Sequence, residues 1–546
     1  MNAEARNPAV VREARRTGTL RGAPGILAIG LTVYAIAVAI FSYLQRDYIN
    51  SDFVAYATIA ERVWHAPATS VSASWSPLFS WFMAPMLAAG IAERVAGRLV
   101  LILAGAIYVI AVHRFSHGLR QTSRLVVATT TFCAVLHATL WATYLLDPDL
   151  IAAAFIFCYF LTLQTQRTRW HFAGGLAAAL AYLAKAYLLP FFLVHVAISA
   201  VMRVISWRAM AVSLAGFFLL AAPWVGILSA RQGHLVYSTA AASNYANVSP
   251  ENFGHDPLWN PPLGRDYILH FSLSPSWSPF QDPAHFWHQV QLSLKNLFDC
   301  VAQTIGWVGL AAVAFFARVF HLRRGGKFGA GRDGRSERWW LLVTVGVFAG
   351  GYLLVQVQPR YVVPVIAPCL CALSFILLEP VLRGFGRTAL SATALLLAAS
   401  AQDGYRLAQI AIRHPQSHSV SHYEDVFGRT GEVVALTGPL ACNRWHEGLI
   451  FSFIFYRLPD YLGAPLPGTD AQMQEQLRRA GARLYLREVN RARDPRSVSV
   501  VDRFIPAAPW KKALTLHDPT RPSREIVFYE LPDDAASQFD PALRQR

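Results

Sequence analysis

Long apolar runs recur from residue 25 to residue 407, and they constrain this chain more than any other feature. The first reads GILAIGLTVYAIAVAIFSYL, and the runs are about 16 to 23 residues long, close to the length of a helix that crosses a bilayer. They do not alternate apolar and polar residues as the strands of a membrane barrel would. Only 15% of the residues are charged, against about a quarter in soluble domains. The sequence predicts an α-helical polytopic membrane protein.

Eleven transmembrane helices are predicted, in a membrane domain that covers 25–409. The predicted spans are 25–43, 97–112, 125–145, 149–163, 172–187, 188–203, 209–228, 297–319, 340–357, 361–379 and 388–407. A basic segment, 1–24, precedes the first span. Because that span is long and no small-residue cleavage site follows it, we expect a retained anchor and not a removed leader.

The positive charge of the chain lies on one side of these spans. The net charge is +16, and the segments on that side together carry 21 Lys and Arg against 4 Asp and Glu. The segments are 1–22, 113–124, 164–171, 203–208, 318–338 and 382–388. This positive-inside bias accounts for the net charge without nucleic acid as a partner, and it predicts a cytoplasmic N-terminus and an outer C-terminus.

Two large outer loops follow from this topology, 45–96 and 230–295. The first contains PLFSWFMAPMLAAGIA (77–92), which we predict to be a re-entrant or interfacial element because a further crossing would destroy the charge bias. The same loop begins with NSDFVAYATIAERVWH, predicted as an amphipathic helix with Ala55, Ile59 and Val63 on one side. The second loop is rich in proline and aromatic residues, which fits either an interfacial belt or a wall of a substrate site.

Residues 410–546 differ from the rest in composition and are predicted to form a small α/β domain outside the membrane. Strand-like runs, EVVALTG, ARLYLREV and SREIVFYEL, surround an amphipathic stretch, DAQMQEQLRRAG. The six cysteines of the chain include no C-x-x-C pair, so neither a disulfide framework nor a zinc site is indicated. His113 and His117 have a spacing that can bind zinc, but they lie among arginines on the inner side, where a solvated loop is expected.

Ionisable residues collect at the outer ends of the predicted spans. They are Asp52, Asp147, Asp149, Lys185 and Arg360, the last followed by Tyr361. Each has a structural explanation when taken alone: a carboxylate can cap a helix, and a lysine or arginine can reach a lipid phosphate. Together they bring charge from distant parts of the chain to one face, which predicts a shared outward-facing polar cavity.

This combination of residue types favours glycosyl transfer from a lipid-linked sugar. Lysine and arginine suit a phosphate group, and a carboxylate beside them can accept the proton of an attacking hydroxyl. A phosphate leaving group stabilised by cations needs no general acid, so a single base suffices and the anomeric carbon is inverted. A glycoside hydrolase would need a matched acid and base pair. An outward-facing site requires a sugar carried across on a membrane lipid.

The motifs resemble the GT-C class of membrane glycosyltransferases, specifically the bacterial relatives of the protein O-mannosyltransferases and of the lipid A aminoarabinose transferase. The similar stretches, in order, are SDFVAYATIAERV, WSPLF, DPDLIAAAFIF, GGLAAALAYLAKAYLLP and PRYVVPVIAP. The resemblance covers about 25–380. It implies a GT-C-like fold in a bacterial inner membrane with a periplasmic C-terminal domain, although no motif in 410–546 supports the latter.

The resemblance also implies roles for the charged residues. Asp52 would be the catalytic base and Asp149 a second acidic residue, a role that Asp147 could take instead. Lys185 and Arg360 would hold the polyprenyl phosphate of the donor, and Tyr361 would support the arginine. Many relatives have a second acid directly after the first, but here Asp52 is followed by Phe53. That leaves fewer carboxylates for a divalent ion, so no metal and no other cofactor is expected.

Two other classes of function remain open at this stage. A transporter or flippase of a lipid-linked or anionic substrate also needs charges in a cavity, although such proteins usually show repeated halves, and no repeat is visible here. A non-catalytic envelope-assembly subunit is the other alternative. For a transferase, the acceptor is a hydroxyl of a glycolipid, a polysaccharide or a protein, and the sequence does not distinguish among these.

Overall fold

The computed structural model describes twelve stretches of the chain. They are 23–46, 48–119, 122–165, 167–250, 277–323, 332–382, 388–412, 430–443, 461–465, 468–490, 500–517 and 523–532. The predicted cytoplasmic segment lies almost wholly outside the described residues, as does the centre of the second outer loop.

The described part of 23–412 is built of helices. In chain order they are α1 (Ala23–Leu44), α2 (Ser51–His65), α3 (Leu78–Ala88), α4 (Glu93–Gly118), α5 (Arg124–Thr143), α6 (Asp149–Leu163), α7 (Thr168–Ala184), α8 (Leu188–Val201), α9 (Trp207–Gln232), α10 (Ala240–Asn247), α11 (Pro283–Gln303), α12 (Ile305–Arg323), α13 (Arg332–Leu353), α14 (Pro359–Leu382) and α15 (Thr388–Ile412). A helix or part of one lies at each predicted span.

Six of these helices are long and apolar enough to cross a membrane, namely α1, α4, α5, α9, α12 and α14. Three shorter apolar helices, α3, α6 and α8, accompany them. The protein is therefore a multi-pass membrane protein. The helix α14 is buried along most of its length and packs against α5, α6, α12 and α13, so it forms the centre of the bundle.

Small residues let helices α7 and α9 approach each other closely. A Cβ on Gly175 of α7 would collide with the backbone of Ser213, and one on Gly216 of α9 would collide with the backbone of Phe172. Such contacts between small residues are typical of helix pairs in membranes, where van der Waals packing and not the hydrophobic effect drives association. The pair fixes α7, whose C-terminal end carries Lys185.

The predicted span 297–319 is wrong in its boundaries. The structure places a helix break at Thr304, so α11 ends at Gln303 and α12 begins at Ile305. The apolar residues Leu297 and Phe298 led the prediction to start the span too early, within the C-terminal part of the amphipathic helix α11. A hydropathy pattern alone does not separate such a helix from the beginning of a span.

The first outer loop contains two helices, as predicted, but α2 is more enclosed than an amphipathic helix at an interface would be. All eight residues from Phe53 to Ala60 are buried, not only the predicted face. The helix α3 packs against α2 and α4 and covers the buried stretch. With 11 residues, α3 is about 16 Å long, too short to cross a bilayer and consistent with the predicted interfacial element.

The C-terminal part contains a five-stranded sheet of order β2-β1-β3-β5-β4. The strands are β1 (Leu440–Cys442), β2 (Tyr461–Gly463), β3 (Leu484–Asn490), β4 (Lys511–His517) and β5 (Arg524–Glu530). Strand β1 is parallel to β2 and β3, whereas β5 is antiparallel to β3 and β4. Helices α17 (Asp470–Arg479) and α18 (Val500–Arg503) pack against one face of the sheet, around Tyr485.

The structure agrees with two of the predicted strands and with the predicted helix of this part, and it contradicts the third strand. ARLYLREV and SREIVFYEL contain β3 and β5, and DAQMQEQLRRAG contains α17, whose Thr469 and Gln472 form a reciprocal N-terminal cap. EVVALTG is wrong as a strand, because Thr430–Ala435 is a short helix, α16. Its Val433 is buried in the hydrophobic core, and such tertiary packing overrides the strand preference of valine.

Candidate functional site

The six candidate residues come from four separate parts of the chain and lie together at one end of the bundle. Asp52 is in the first turn of α2, and Asp147 is in the turn between α5 and α6. Asp149 is the first residue of α6, and Lys185 directly follows α7. Arg360 and Tyr361 lie in the first turn of α14.

The guanidinium of Arg360 contacts all three carboxylates. Nη2 donates a hydrogen bond to Asp52 Oδ2 at 2.9 Å, and Nη1 donates to Asp147 Oδ2 at 2.6 Å. Nε lies 3.6 Å from Asp149 Oδ2 and donates to Gln358 Oε1 at 2.8 Å. A planar fork with fixed donor positions suits several oxygen acceptors at once, so Arg360 organises the cluster.

Lys185 forms the second cationic centre. Its Nζ lies 2.7 Å from Asp149 Oδ1 and 3.7 Å from the centre of the Tyr361 ring. An ammonium group over an aromatic face is attracted by the negative charge of the ring face. Tyr361 also contacts Arg360, whose Nη2 is 3.4 Å from the Tyr361 hydroxyl. Tyr361 thus contacts both cations, where the resemblance predicts support of the arginine.

Three carboxylates share two cations, and they differ in access. The side chains of Asp147 and Asp149 are each 6% exposed, whereas those of Asp52 and Lys185 are each 23% exposed. Burial alone would raise the pKa of the Asp147 carboxyl, but the positive charge of Arg360 beside it holds that pKa below its usual value. Asp147 is therefore ionised at neutral pH, and Asp52 is the most accessible carboxylate of the three.

All six residues line one cavity of about 500 Å³. That is in the size range of pockets that bind small organic ligands. The first outer loop contributes Ser74, Trp75 and Ser76 to its wall, and α10 with the residues before it contributes Tyr237, Ser243 and Asn244. Hydrogen bonds join the two loops: the Thr239 backbone N–H donates to the Ala73 carbonyl at 2.8 Å. The described part of the second outer loop is thus a wall of the cavity.

Aromatic rings form one side of the cavity. The rings of Tyr187 and Tyr352 are 4.1 Å apart, and Tyr352 stacks on Tyr361 at 5.4 Å. Gly351 makes this arrangement possible, because a Cβ at that position would collide with the Tyr187 ring. The aromatic side chains therefore continue from the cations along the cavity wall.

The structural explanation offered for Asp149 is only partly supported. Asp149 is the first helical residue and Pro148 holds the N-cap position; the Asp149 backbone N–H donates to Asp147 Oδ1 at 3.3 Å. Sequence reasoning did not identify Gln358, Tyr352 or the loop residues of the cavity. Gln358 is two positions before Arg360 in VQVQPRY, and this closeness in sequence is the signal by which Gln358 could have been found.

No group of three or more His, Cys, Asp or Glu residues suited to a metal ion occurs within the described stretches. In the cavity, the guanidinium of Arg360 lies among the carboxylates and supplies the positive charge there. All six cysteines are free.

No protein-family model matches the chain, and no curated protein matches it by sequence. Solved structures of membrane glycosyltransferases of the GT-C class match this chain in fold, which confirms the resemblance predicted from the motifs.

The matching structures include ArnT from Cupriavidus metallidurans in two states. The apo structure has a TM-score of 0.54 at 15% sequence identity, and the structure bound to undecaprenyl phosphate has a TM-score of 0.51 at 14% identity. In both cases the match covers 92% of this chain and 97% of the other. The arabinofuranosyltransferase AftD from Mycobacteria matches more distantly, with a TM-score of 0.46, 15% identity and coverage of 92% of this chain and 40% of AftD.

Proposed function

We propose that this chain is an inverting glycosyltransferase that moves a sugar from a polyprenyl-phosphate-linked donor to an acceptor hydroxyl at the outer face of the membrane. The observation that carries the proposal is the contact of one guanidinium, Arg360, with three carboxylates in a cavity that also holds Lys185. The shared fold with ArnT, which has been solved bound to undecaprenyl phosphate, supports a polyprenyl phosphate as the lipid carrier.

The donor phosphate binds by exchange of partners. In the free chain both cations are paired with carboxylates, so a phosphate must take over hydrogen bonds that now go to aspartates. Asp52 is the partner most easily displaced, because it is the most exposed of the three and makes one contact with Arg360. Asp147 and Asp149 stay in place and keep the cations oriented.

Asp52 is the base in this scheme. Once the phosphate has taken its place beside Arg360, the Asp52 carboxylate is available to accept a hydrogen bond from the acceptor hydroxyl. The acceptor hydroxyl then transfers its proton to Asp52 while its oxygen forms a bond to the anomeric carbon. The bond between that carbon and the phosphate oxygen breaks on the opposite face, which inverts the configuration.

The cations stabilise the leaving group. The phosphate oxygen departs with the electron pair of the broken bond, and Arg360 and Lys185 offset the negative charge that develops on it. Preorganised donors of this kind need no metal ion, so we propose a metal-independent reaction without a cofactor. The products are the glycosylated acceptor, which is a glycolipid, polysaccharide or protein, and the polyprenyl phosphate.

We also propose a location and an orientation for the protein. It is a multi-pass protein of a bacterial inner membrane with a cytoplasmic N-terminus, and the cavity and the C-terminal α/β domain face the periplasm. The charge distribution supports this orientation. A reporter fused after Arg406 is expected on the outer side, and a signal from the inner side would contradict the assignment.

The test is consumption of a polyprenyl-phosphate sugar by membranes that contain the native chain, Asp52→Asn or Asp299→Asn. The asparagine at position 52 keeps the size of the side chain but cannot accept the proton. Asp299 is a matched control, because it is an exposed aspartate of α11 that pairs with Lys295 and does not line the cavity. The native chain and the control are expected to consume the donor, and Asp52→Asn is not.

Two outcomes would contradict the proposal in different ways. Equal consumption by the native chain and Asp52→Asn would mean that Asp52 is not the base. If the native chain consumes none of a panel of lipid-linked hexoses and pentoses, the transferase proposal fails, and a transporter or a non-catalytic assembly subunit becomes the better explanation of the cavity.

A further inference from the structure

Arg98 is a buried arginine outside the cavity that contacts no carboxylate in the described part of the chain. It lies in α4 and is 8% exposed. Its Nη1 donates to the backbone carbonyls of Ala142 and Thr143 at 2.9 and 2.8 Å, and its Nη2 donates to the carbonyl of Gln45 at 3.2 Å. A buried charge is costly unless its hydrogen bonds are satisfied, and here one guanidinium is satisfied by backbone oxygens alone.

These three carbonyls mark the outer ends of two helices. Gln45 directly follows α1, and Ala142 and Thr143 are the last residues of α5. The final carbonyls of a helix have no partner within it and carry partial negative charge, so an arginine stabilises them. Asp52 follows the end of α1 after a short segment, and Asp147 follows the end of α5 after three intervening residues. Arg98 thus ties together the ends of the two helices that precede Asp52 and Asp147 in the chain.

A further hydrogen bond, which does not involve Arg98, joins the same two segments closer to the cavity. The Asn50 side-chain oxygen accepts from the backbone N–H of Leu146 at 3.1 Å. Asn50 is two positions before Asp52, and Leu146 is directly before Asp147. The two aspartates therefore belong to segments that are linked twice, first at the helix ends by Arg98 and then beside the carboxylates by Asn50.

We propose that Arg98 is a positioning residue for the transfer reaction, an inference that rests on the proposed function. Arg360 contacts Asp52 and Asp147 through two nitrogens of one guanidinium, so the separation of the two carboxylates has to match the fixed separation of those nitrogens. Arg98 sets that separation from outside the cavity, because it holds the ends of α1 and α5 together. It does not line the cavity and touches no reacting group.

The test compares Arg98→Lys with a control that removes a different hydrogen bond between α1 and α4. Lysine keeps the charge but has a single ammonium group in place of a planar fork, so it cannot hold both helix ends as the guanidinium does. The control is Tyr34→Phe, which removes a buried hydrogen bond from α1 to the Ile102 carbonyl of α4, 2.9 Å long and away from the cavity. Asn50→Ala is the milder second variant, which weakens the link but leaves Arg98 intact.

We expect Arg98→Lys to lower kcat by about 10- to 100-fold, since small misplacements of catalytic groups have effects of that size. The KM for the donor is expected to stay close to the native value, because Lys185 and Arg360 are unchanged. Asn50→Ala shifts kcat in the same direction by less, and Tyr34→Phe leaves kcat unchanged. A native kcat in Arg98→Lys, in a chain whose Asp52→Asn variant is inactive, would overturn the positioning role and leave the proposed function standing.

A distance measurement tests the same role without any donor. Nitroxide labels on Arg46→Cys and Tyr144→Cys, both exposed residues just beyond α1 and α5, report the separation of the two helix ends. The distance distribution is expected to broaden in Arg98→Lys and to stay native in Tyr34→Phe. An unchanged distribution in Arg98→Lys would overturn the proposal even if no donor is turned over.

Discussion

Two clusters of ionisable side chains in the described part of the membrane domain differ in how their charges are satisfied. The first is the cavity cluster of Asp52, Asp147, Asp149, Lys185 and Arg360. The second, which we call the Asp403 cluster, consists of His137, Trp307, Asp403 and Arg406. In it a single carboxylate accepts from His137 Nε2 and Trp307 Nε1 through one oxygen, and from Arg406 Nη1 through the other, each at 3.0 Å.

The difference lies in access and in the number of partners. The Asp403 side chain is 2% exposed, and its cluster joins α5, α12 and α15 without lining the cavity. In the cavity cluster, Asp52 and Lys185 keep 23% of their side-chain surface exposed, and one cation has three carboxylate partners. A closed set of contacts holds helices together, whereas an open set can exchange partners with a ligand. Charge within a membrane domain thus does not by itself mark a functional site.

Removal of one carboxylate from each cluster is the strongest test of whether the two clusters have different roles. Asp52→Asn is expected to lower kcat/KM by about 100- to 10,000-fold, the range for loss of a general base. Its melting temperature in detergent is expected to stay near the native value, because Asp147 and Asp149 still pair with the cations. Steady-state turnover and thermal unfolding of the same preparation provide the check. A large loss of stability would place Asp52 with the structural carboxylates.

Changes to the two cations are expected to have the next largest effect on turnover. Lys185→Met removes a point charge, and Arg360→Lys removes the fork but keeps the charge. A hydrogen bond to a charged group is worth about 1.5 to 3 kcal/mol, so we expect the donor KM to rise by roughly one to two orders of magnitude. Binding of a polyprenyl phosphate, measured by thermal shift, checks this directly. Unchanged donor affinity in both variants would contradict the phosphate-binding role.

The Asp403 cluster is expected to show the reverse pattern. Asp403→Asn leaves Arg406 without its buried counter-charge, and breaking a buried pair costs about 3 to 5 kcal/mol of stability. Turnover at a temperature well below unfolding is expected to stay close to native, because the cluster does not line the cavity. Melting temperature and turnover together check the prediction. A loss of turnover without a loss of stability would show that this cluster takes part in the reaction.

Removal of divalent ions is expected to have the smallest effect. Because Arg360 and Lys185 supply the positive charge of the cavity, treatment with EDTA should leave donor consumption unchanged. The assay uses membranes washed with chelator, with and without added Mg²⁺ or Mn²⁺. Activity that disappears on chelation and returns with the ion would replace the metal-independent scheme.

The sequence predicted the six residues of the candidate site but not the hydrogen bonds and ion pairs among them. The six residues were found because each stands at the outer end of an apolar run, and the charge rule assigns those ends to one side. That one arginine contacts all three aspartates could not be predicted, since Asp52 and Arg360 are 308 positions apart. The Asp403 cluster was overlooked because Asp403 lies inside a predicted span and His137 is 266 positions away.

Errors in the fold prediction have the same origin. The helix at Thr430–Ala435 depends on the burial of Val433 in the hydrophobic core, whereas the prediction used local propensity. The enclosure of α2 by α3 and α4 is likewise a tertiary feature that the amphipathic pattern of SDFVAYATIAERV does not report. The position of a helix along the chain was predicted well where that helix is long and uniformly apolar.

The position of Arg360 in the chain has a consequence for biosynthesis. Asp52 and Asp147 leave the ribosome 308 and 213 residues before the arginine that pairs with both of them. Until α14 is made, the nascent protein carries these carboxylates without that partner, and a truncated chain never acquires it. The insertion of α14 therefore brings the central helix of the bundle and the arginine of the cavity into place in one step, and a chain that ends before α14 keeps both carboxylates without this cation.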